Sequence, residues 1–245
     1  MISVISRVVV IGLGTMINTA TVLVGGTVGI AVGDRIPERV RVIVVQVIGL
    51  VTIGLGLSDV LKTHNMVFPL LGMVVGAVIG ELLRIEDRLE QIGEVIRKRF
   101  ARRQDPGRFV TGFVTATLLF CIGPLTILGA IQDASGATPQ LYIIKGTLDG
   151  FMNVIFGAVH GLGAVFSACS VFAVQGVLTL FGTRLDALLN DRMRIELFAA
   201  GGFAVLAIGI NLLDIKKIRL GSLLPGLIVT PLLVYLFADQ TGLLR

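Results

Sequence analysis

The fold of this chain follows from residues 118–153, which read LLFCIGPLTILGAIQDASGATPQLYIIKGTLDGFMN. Most of the stretch is apolar enough for lipid, but a Gly-Pro pair at Gly123 and Pro124 interrupts it. Polar side chains that are costly to bury then follow, namely Gln132, Asp133, Lys145, Asp149 and Asn153. Ionisable groups inside membranes mostly face a protein interior or a cavity. The stretch therefore predicts a membrane-embedded helical bundle with a polar centre.

The composition of the whole chain indicates the same class. Of its 245 residues, 54% are hydrophobic and 15% are charged, whereas charged residues make up about a quarter of a soluble domain. The 31 glycines are typical of helices that approach one another closely in lipid. We predict an all-α, polytopic membrane protein in contact with the lipid bilayer.

Eight segments approach the roughly 20 apolar residues that a spanning helix needs. They are residues 8–32, 40–57, 66–83, 109–131, 142–164, 165–182, 195–213 and 221–238. The sixth is short, so it is a true span, a re-entrant piece or a continuation of the fifth. Pro124 is expected to break the fourth, either as part of a site or as an ordinary kink. The prediction is a bundle of seven or eight transmembrane helices.

Basic residues concentrate between Arg84 and Arg108, which contain eight of the 21 in the chain. Because basic loops stay cytoplasmic, this segment and the loop after the first helix are expected in the cytoplasm, with the N-terminus outside. Later basic loops do not decide between seven and eight spans. Within the segment, apolar residues recur at helical spacing, at Ile85, Leu89, Ile92, Ile96 and Phe100.

This spacing predicts a short amphipathic helix that lies on anionic lipid headgroups or packs on the bundle. A solvated linker helix is the alternative. Nucleic acid is not expected as a partner, because membrane spans flank the basic segment.

A weak internal repeat aligns the first helix with the fifth and the second with the seventh. Gly14, Thr15, Gly25 and Gly29 reappear as Gly146, Thr147, Gly157 and Gly161, and Gly49 and Gly56 reappear as Gly202 and Gly209. The halves, about residues 8–83 and 142–238, would form one membrane domain over 1–245. Residues 84–108 and a linking helix at 109–131 would join them. Transporters often place a site between such repeats, although glycine-rich helices also match by chance.

Polar residues on the fifth helix recur along one side, at Lys145, Asp149, Asn153 and His160. The first helix contributes Thr15 and Asn18, which we expect to meet Asp149 inside the bundle. A Lys-Asp pair that only orients two helices is the alternative. The candidate binding residues are Thr15, Asn18, Gly123, Pro124, Gln132, Asp133, Lys145, Asp149, Asn153 and His160. Gln175 and Asn211 are lesser candidates, because such residues make packing bonds more often than they bind ligands.

Signatures of soluble enzymes are missing from the sequence. It has no dinucleotide fingerprint, no His, Cys and carboxylate cluster at zinc spacing, and no nucleophile elbow around Ser167 or Ser170. We predict no enzymatic activity, no catalytic residue, no metal and no cofactor.

Several motifs closely resemble a known family over nearly the whole chain. They are GTMIN at 14–18, FVTGFVTATLLFCIGPLTILGAIQD at 109–133, KGTLDG at 145–150, IGINLLDIKKIR at 208–219 and LLPGL at 223–227. The resemblance is to domain-of-unknown-function family 554 of bacterial inner-membrane proteins. It implies a multi-pass protein of the bacterial cytoplasmic membrane and supplies no established substrate or catalytic residue. The glycine that follows the aspartate of the longest motif is displaced here to Gly136.

The leading hypothesis is a transporter or channel for a small polar solute or ion, with a site between the first, fourth and fifth helices. Asp149 would suit a cation or a proton, whereas Lys145 would suit an anion. The alternative is a non-transporting scaffold or regulator that acts through the basic cytoplasmic helix. Glycine stripes also make a homodimer compatible with the sequence, although the same stripes serve contacts within one chain.

Overall fold

The computed structural model describes residues 11–33 and 35–237, so residues 8–10 and 238 of the predicted spans lie outside it. Within these ranges the chain forms α-helices and one 3₁₀ turn, Leu220–Leu223, without a strand. The α-helices are α1 Leu13–Gly33, α2 Glu38–Val60, α3 Val67–Leu82, α4 Ile85–Phe100, α5 Pro106–Ile122, α6 Pro124–Ala134, α7 Gln140–His160, α8 Leu162–Leu180, α9 Gly182–Leu188, α10 Asp191–Leu212 and α11 Gly226–Phe237. The predicted all-α class is confirmed.

Five helical segments are long and apolar enough to cross a membrane: α1, α2, α8, α10 and the stretch Leu220–Phe237. Two bent pairs raise the number to seven if each is one span, namely α3 with α4, bent by 55°, and α5 with α6, bent by 61°. The helix α7 is long enough but is not among them, and it carries the polar residues of the predicted site. A polytopic helical bundle accounts for these lengths.

The sixth predicted segment is a helix of its own rather than a continuation of the fifth. Gly161 separates α7 from α8 and has a φ of +68°, a backbone conformation that favours glycine. The start of α8 packs at Gly163 against the backbone of Phe109 in α5, and Gly182, just after its end, packs against Ala130 in α6. Thus α8 crosses the bundle in the same direction as α5 and α6.

One end of the bundle, which we call the basic end, gathers α4, the α1–α2 turn, Gly161 and the loop at 213–219. Arg219 in that loop binds Glu81 at 2.6 Å and also pairs with Asp87 of α4. Arg108 donates a hydrogen bond to the carbonyl oxygen of Val159 at 2.7 Å, near the end of α7. A separate α8 therefore brings the last basic loop to the same end as residues 84–108.

The helix α4 has the predicted bounds and packs on the bundle. Leu89 and Ile96 contact the main apolar core. Glu86 is buried and accepts a hydrogen bond from the backbone amide of Gly221, and burial raises the pKa of this carboxyl group. Ile92 and Phe100 belong to the same apolar stripe but remain exposed, and Phe100 stacks on Phe166 of α8 with ring centroids 5.5 Å apart.

The predicted counterpart helices α1 and α7 pack against each other in parallel along their whole length. Gly25 touches the Gly150 backbone, Gly29 touches that of Val154, and Gly33 touches Ala158. A side chain at Gly25 or Gly29 would overlap a carbonyl oxygen of α7. Because these glycines are used within the chain, they give no support to a homodimer.

The counterparts α2 and α10 also pack together, but they run antiparallel. Gly49 faces Gly209, which is the repeat counterpart of Gly56, and Gly56 faces Gly202, which is the repeat counterpart of Gly49. The additional span α8 reverses the chain direction in the second half, which explains why α1 and α7 are parallel whereas α2 and α10 are not. No single symmetry operation therefore relates α1 to α7 and also α2 to α10. The internal repeat stays a prediction.

We predict that Gly25→Ala destabilises the protein although alanine is the better helix former. Overpacking typically costs about 1–3 kcal/mol, which outweighs the roughly 1 kcal/mol gained in helix propensity. Gly54→Ala is the matched control, because a Cβ at this exposed position of α2 meets no atom within 4 Å. The measurement is the unfolding temperature of each purified variant in detergent. Equal unfolding temperatures would show that α1 and α7 do not pack as described.

Candidate functional site

An ion pair bridged to a neighbouring helix lies at the centre of α7. Asp149 is the tenth of the 21 residues of α7, and its Oδ2 atom accepts a hydrogen bond from the Lys145 ammonium one turn earlier. The Nδ2 atom of Asn18 in α1 donates to the same oxygen at 3.1 Å. All three side chains are buried. Asn18 therefore meets Asp149 as the sequence predicts.

The charges of Lys145 and Asp149 neutralise each other in a buried setting. Removing one partner of such a pair leaves an uncompensated charge and typically costs about 3–5 kcal/mol, whereas replacing both is often neutral. No hydrogen bond to Oδ1 of Asp149 is found within residues 11–33 and 35–237. One carboxylate oxygen thus remains available to a ligand.

Two amides near this pair expose unpartnered oxygens to the protein interior. The Nδ2 atom of Asn18 is held by Asp149, and Nδ2 of Asn153 donates to the carbonyl oxygens of Val22 at 2.7 Å and Ala164 at 3.1 Å. These bonds fix the orientation of both amides. Neither Oδ1 atom has a partner among the described residues, although both side chains are fully buried. An unsatisfied buried acceptor typically costs about 1–3 kcal/mol.

Gln175 of α8 is a third buried amide, and neither its nitrogen nor its oxygen has a partner in the described part of the chain. Thr179, one turn later, bonds Thr15 of α1 at 3.2 Å, so Gln175 lies near the level of Asn18 in the antiparallel pair. Gly163 at the start of α8 contacts Phe109 of α5, and the two helices run in the same direction. Gln175 follows Gly163 by the same number of residues as Cys121 follows Phe109, so Gln175 lies at the level of Cys121, beside the helix break.

Gln175 is a lesser candidate in the sequence, where a packing bond is the more common role, but its side chain makes no hydrogen bond to the described residues. The available signal was a lone amide in an otherwise apolar span. Asn211 does make packing bonds, because its amide exchanges two hydrogen bonds of 2.8 Å with the backbone of Ile218.

The break between α5 and α6 stands where the sequence predicts it. Gly123 is extended, with φ −64° and ψ 154°, and α6 begins at Pro124. The Thr126 hydroxyl donates to the carbonyl oxygen of Phe120 at 3.3 Å and supplies a partner to a backbone group near the break. A Cβ added at Gly123 would meet no atom of the described residues within 4 Å, so the described part of the chain leaves open space beside the backbone here.

Gln132 and Asp133 hold the starts of other helices. Asp133 accepts hydrogen bonds from the backbone amides of Gly14 at 2.9 Å and Thr15 at 3.1 Å, and from the Thr15 hydroxyl at 3.1 Å. Gln132 accepts one from the Leu141 amide at 2.9 Å. These acceptors satisfy first-turn amides that have no partner inside their own helix.

His160 lies apart from the central ion pair. It is eleven residues beyond Asp149, roughly 16 Å along a helix, at the basic end of α7. Its ring is tilted against Phe156, with ring centroids 5.6 Å apart, and its backbone oxygen accepts from Gln104 at 2.5 Å. The structure therefore groups Asn18, Lys145 and Asp149, places Thr15 with Asp133, and separates His160 from both groups.

Comparison with known proteins assigns the chain to a family. Residues 13–235 match the family described as "Protein of unknown function (DUF554)", and the chain belongs to this family. It is 27% identical over 226 residues to "Uncharacterized membrane protein YdfK" of Bacillus subtilis (strain 168), covering 91% of this chain and 95% of the relative. It is 29% identical over 220 residues to "Uncharacterized protein YqgA" of Escherichia coli (strain K12), covering 89% and 94%. No solved structure matches the chain.

The membrane class agrees with these relatives. One is itself called a membrane protein, and the apolar helices of this chain have the length needed to span a bilayer. The protein is therefore a multi-pass membrane protein of this family.

We predict that Asp149→Asn lowers stability by about 3–5 kcal/mol because it leaves the Lys145 ammonium buried without its counter-charge. The double variant Lys145→Met with Asp149→Asn removes both charges and should recover most of the loss. Unfolding temperatures of the wild type, both single variants and the double variant measure this coupling. Additive losses in the double variant would mean that the two side chains do not form a buried pair.

Proposed function

We propose that this protein is a transporter or channel for a small polar solute or ion. Its site lies among α1, the α5–α6 break, α7 and α8. The observation that supports this proposal is the ion pair of Lys145 and Asp149, bridged by Asn18, at the middle of α7. Charged groups at this depth are costly in a bilayer and typically mark solute or ion pathways.

The proposed location is the bacterial cytoplasmic membrane, with the basic end in the cytoplasm and the N-terminus outside. The basic end holds residues 84–108 and the loop with Lys216, Lys217 and Arg219, and the positive-inside rule predicts that such an end is cytoplasmic. Among the described residues, the opposite end carries fewer basic side chains, at Lys62, Arg184, Arg192 and Arg194.

A cavity at the basic end supports access from the cytoplasm. Its volume is about 360 Å³, and its lining includes Glu86, Glu90, Lys217 and His160. Phe156 lies between His160 and Asp149 along α7, and its ring meets that of Phe120 edge-on, with centroids 6.2 Å apart. These rings would separate the cavity from the ion pair when the pathway is closed.

The second candidate function is a scaffold or regulator that acts through α4. Its support is the exposed side of this helix, where Ile92 and Val95 stand near the exposed cations Lys98 and Arg99. Apolar and basic side chains on one short helix suit anionic lipid headgroups. This surface does not require Asp149, so the two functions can be separated.

The test of transport is the reswelling of proteoliposomes by stopped-flow light scattering. Vesicles that contain the protein are shrunk with solutions of sugars, amino acids, or salts of small cations and anions, and they reswell as a permeant solute enters. We expect at least one solute class to enter faster than into protein-free vesicles. The double variant Lys145→Gln with Asp149→Asn should abolish the difference, because it removes both charges without leaving one unpaired.

Two control variants show whether an effect on transport is specific to the central site. Thr147→Ala changes an exposed residue of α7 whose hydroxyl donates to a carbonyl oxygen of its own helix, that of Ile143, and should transport like the wild type. Lys98→Glu with Arg99→Glu should leave transport intact. Transport of no solute class, together with a cellular phenotype that depends on Lys98 and Arg99 and not on Asp149, would favour the scaffold.

A further inference from the structure

We propose that the site among Asn18, Asp149 and Gln175 takes a small monovalent cation, such as sodium, potassium or ammonium, which replaces the Lys145 ammonium at the Asp149 carboxylate. The inference rests on the proposed transport function and names the substrate class of the same site.

The sign of the ligand follows from which atoms lack partners. Asn18 and Asn153 have their amide nitrogens bonded, so the amide atoms without a partner in the part of the chain that the structure describes are their oxygens. Asp149 adds a carboxylate that receives two donors on the same oxygen, Oδ2. Carbonyl and carboxylate oxygens are ligands for hard cations and acceptors for an ammonium group. An anion would find these oxygens repulsive.

Lys145 already occupies the position of such a cation. Its ammonium bonds Asp149 from one turn away on the same helix, and it sits at the end of a flexible stem. An anion would need this ammonium free, but it is engaged. A monovalent cation can take its place at the carboxylate with no change in the charge at Asp149, while the lysine stem swings away.

The ligand is monovalent because the site offers one carboxylate. Divalent cations in proteins are usually bound through several carboxylates or with retained water. Within residues 11–33 and 35–237, no cluster of three or more His, Cys, Asp or Glu side chains could hold a metal ion. One carboxylate with neutral amide oxygens suits a single positive charge.

Gln175 supplies the neutral side of the site. It is fully buried and lies near the level of both Asn18 and the break after Ile122, and its amide oxygen can turn towards a cation without losing a bond within the described chain. Its amide nitrogen can donate to a backbone carbonyl. Gln175→Leu would remove one neutral ligand and leave the ion pair intact.

The test is thermal unfolding of the purified full chain in detergent, titrated with NaCl, KCl or NH₄Cl against choline chloride at constant ionic strength. Binding to the folded state raises the unfolding temperature in a saturable manner. We expect saturable stabilisation by at least one of the three cations. Lys145→Gln should bind it at least about tenfold more tightly, because the competing ammonium is gone.

Two further variants locate the effect. Lys145→Gln with Asp149→Asn should lose the cation response, and Lys145→Gln with Gln175→Leu should weaken it relative to Lys145→Gln alone. Thr147→Ala should respond like the wild type. Absence of a cation-specific shift in both the wild type and Lys145→Gln would overturn the proposal, as would a shift that follows the anion when the chloride salts are exchanged.

The reswelling assay separates failure of this proposal from failure of the transport function. Entry of a solute that needs Lys145 and Asp149 but none of the three cations, with no cation-dependent unfolding shift, would refute the cation site and keep transport. Cation-dependent stabilisation of Lys145→Gln that the further change Asp149→Asn removes, with no solute entry, would support the cation site and refute transport.

Discussion

The contact between α1 and α7 is the interaction on which the rest of the structure depends. Gly25, Gly29 and Gly33 let the backbone of α1 touch that of α7. In lipid, where apolar burial gives helices little reason to associate, such close contact supplies the attraction through van der Waals packing. Only at this separation does the short Asn18 side chain reach Asp149 on the neighbouring helix. The glycines therefore bring the helices together, and the polar bond selects their register.

The helix break is also connected to α1 and α7, through hydrogen bonds from α6. Asp133, at the end of α6, accepts the first amides of α1, and Gln132 accepts the Leu141 amide near the start of α7. Tyr142 of α7 returns a hydrogen bond to the carbonyl oxygen of Thr126 at 2.8 Å, in the first turn of α6. A change in the angle of α6 would thus act on α7, which carries the ion pair, and on α1, which carries Asn18. This connection gives a broken helix a means to couple a pathway to the central site.

Much of this arrangement was predictable from the sequence, because its signals are local. Apolar run lengths gave the helices to within a few residues, helical spacing gave α4 its bounds, and Pro124 marked the break. The meeting of Asn18 with Asp149 followed from the proposed pairing of the first and fifth helices. The roles of Gln132 and Asp133 did not, since the Gly14 amide capped by Asp133 is 119 residues away in the chain. From the sequence alone, a carboxylate near a membrane helix is equally compatible with binding a ligand and with capping the start of another helix.

Whether α8 crosses the bundle and what surrounds Gln175 also needed the structure. Loop charges could not decide whether α8 crosses, because the side of every later loop depends on that crossing. The pairing of Arg219 with Glu81 and Asp87 places the last basic loop beside α4. Gln175 carries no motif, and its importance comes from neighbours that the fold supplies. Neither atom of its amide group has a partner among residues 11–33 and 35–237, whereas the amide of Asn211 bonds the backbone through both its nitrogen and its oxygen.

The central claim is that a hydrophilic solute reaches the buried cluster. The most direct measurement is the reaction of Gln175→Cys with a small, membrane-impermeant methanethiosulfonate reagent, in protein whose Cys121 and Cys169 are replaced by alanine. Val171→Cys is the matched control, because Val171 lies one turn away on α8 and is equally buried within an apolar cluster. We expect the reagent to modify the cysteine at 175 and not the one at 171. Equal protection of both cysteines would show that the polar cluster only joins helices.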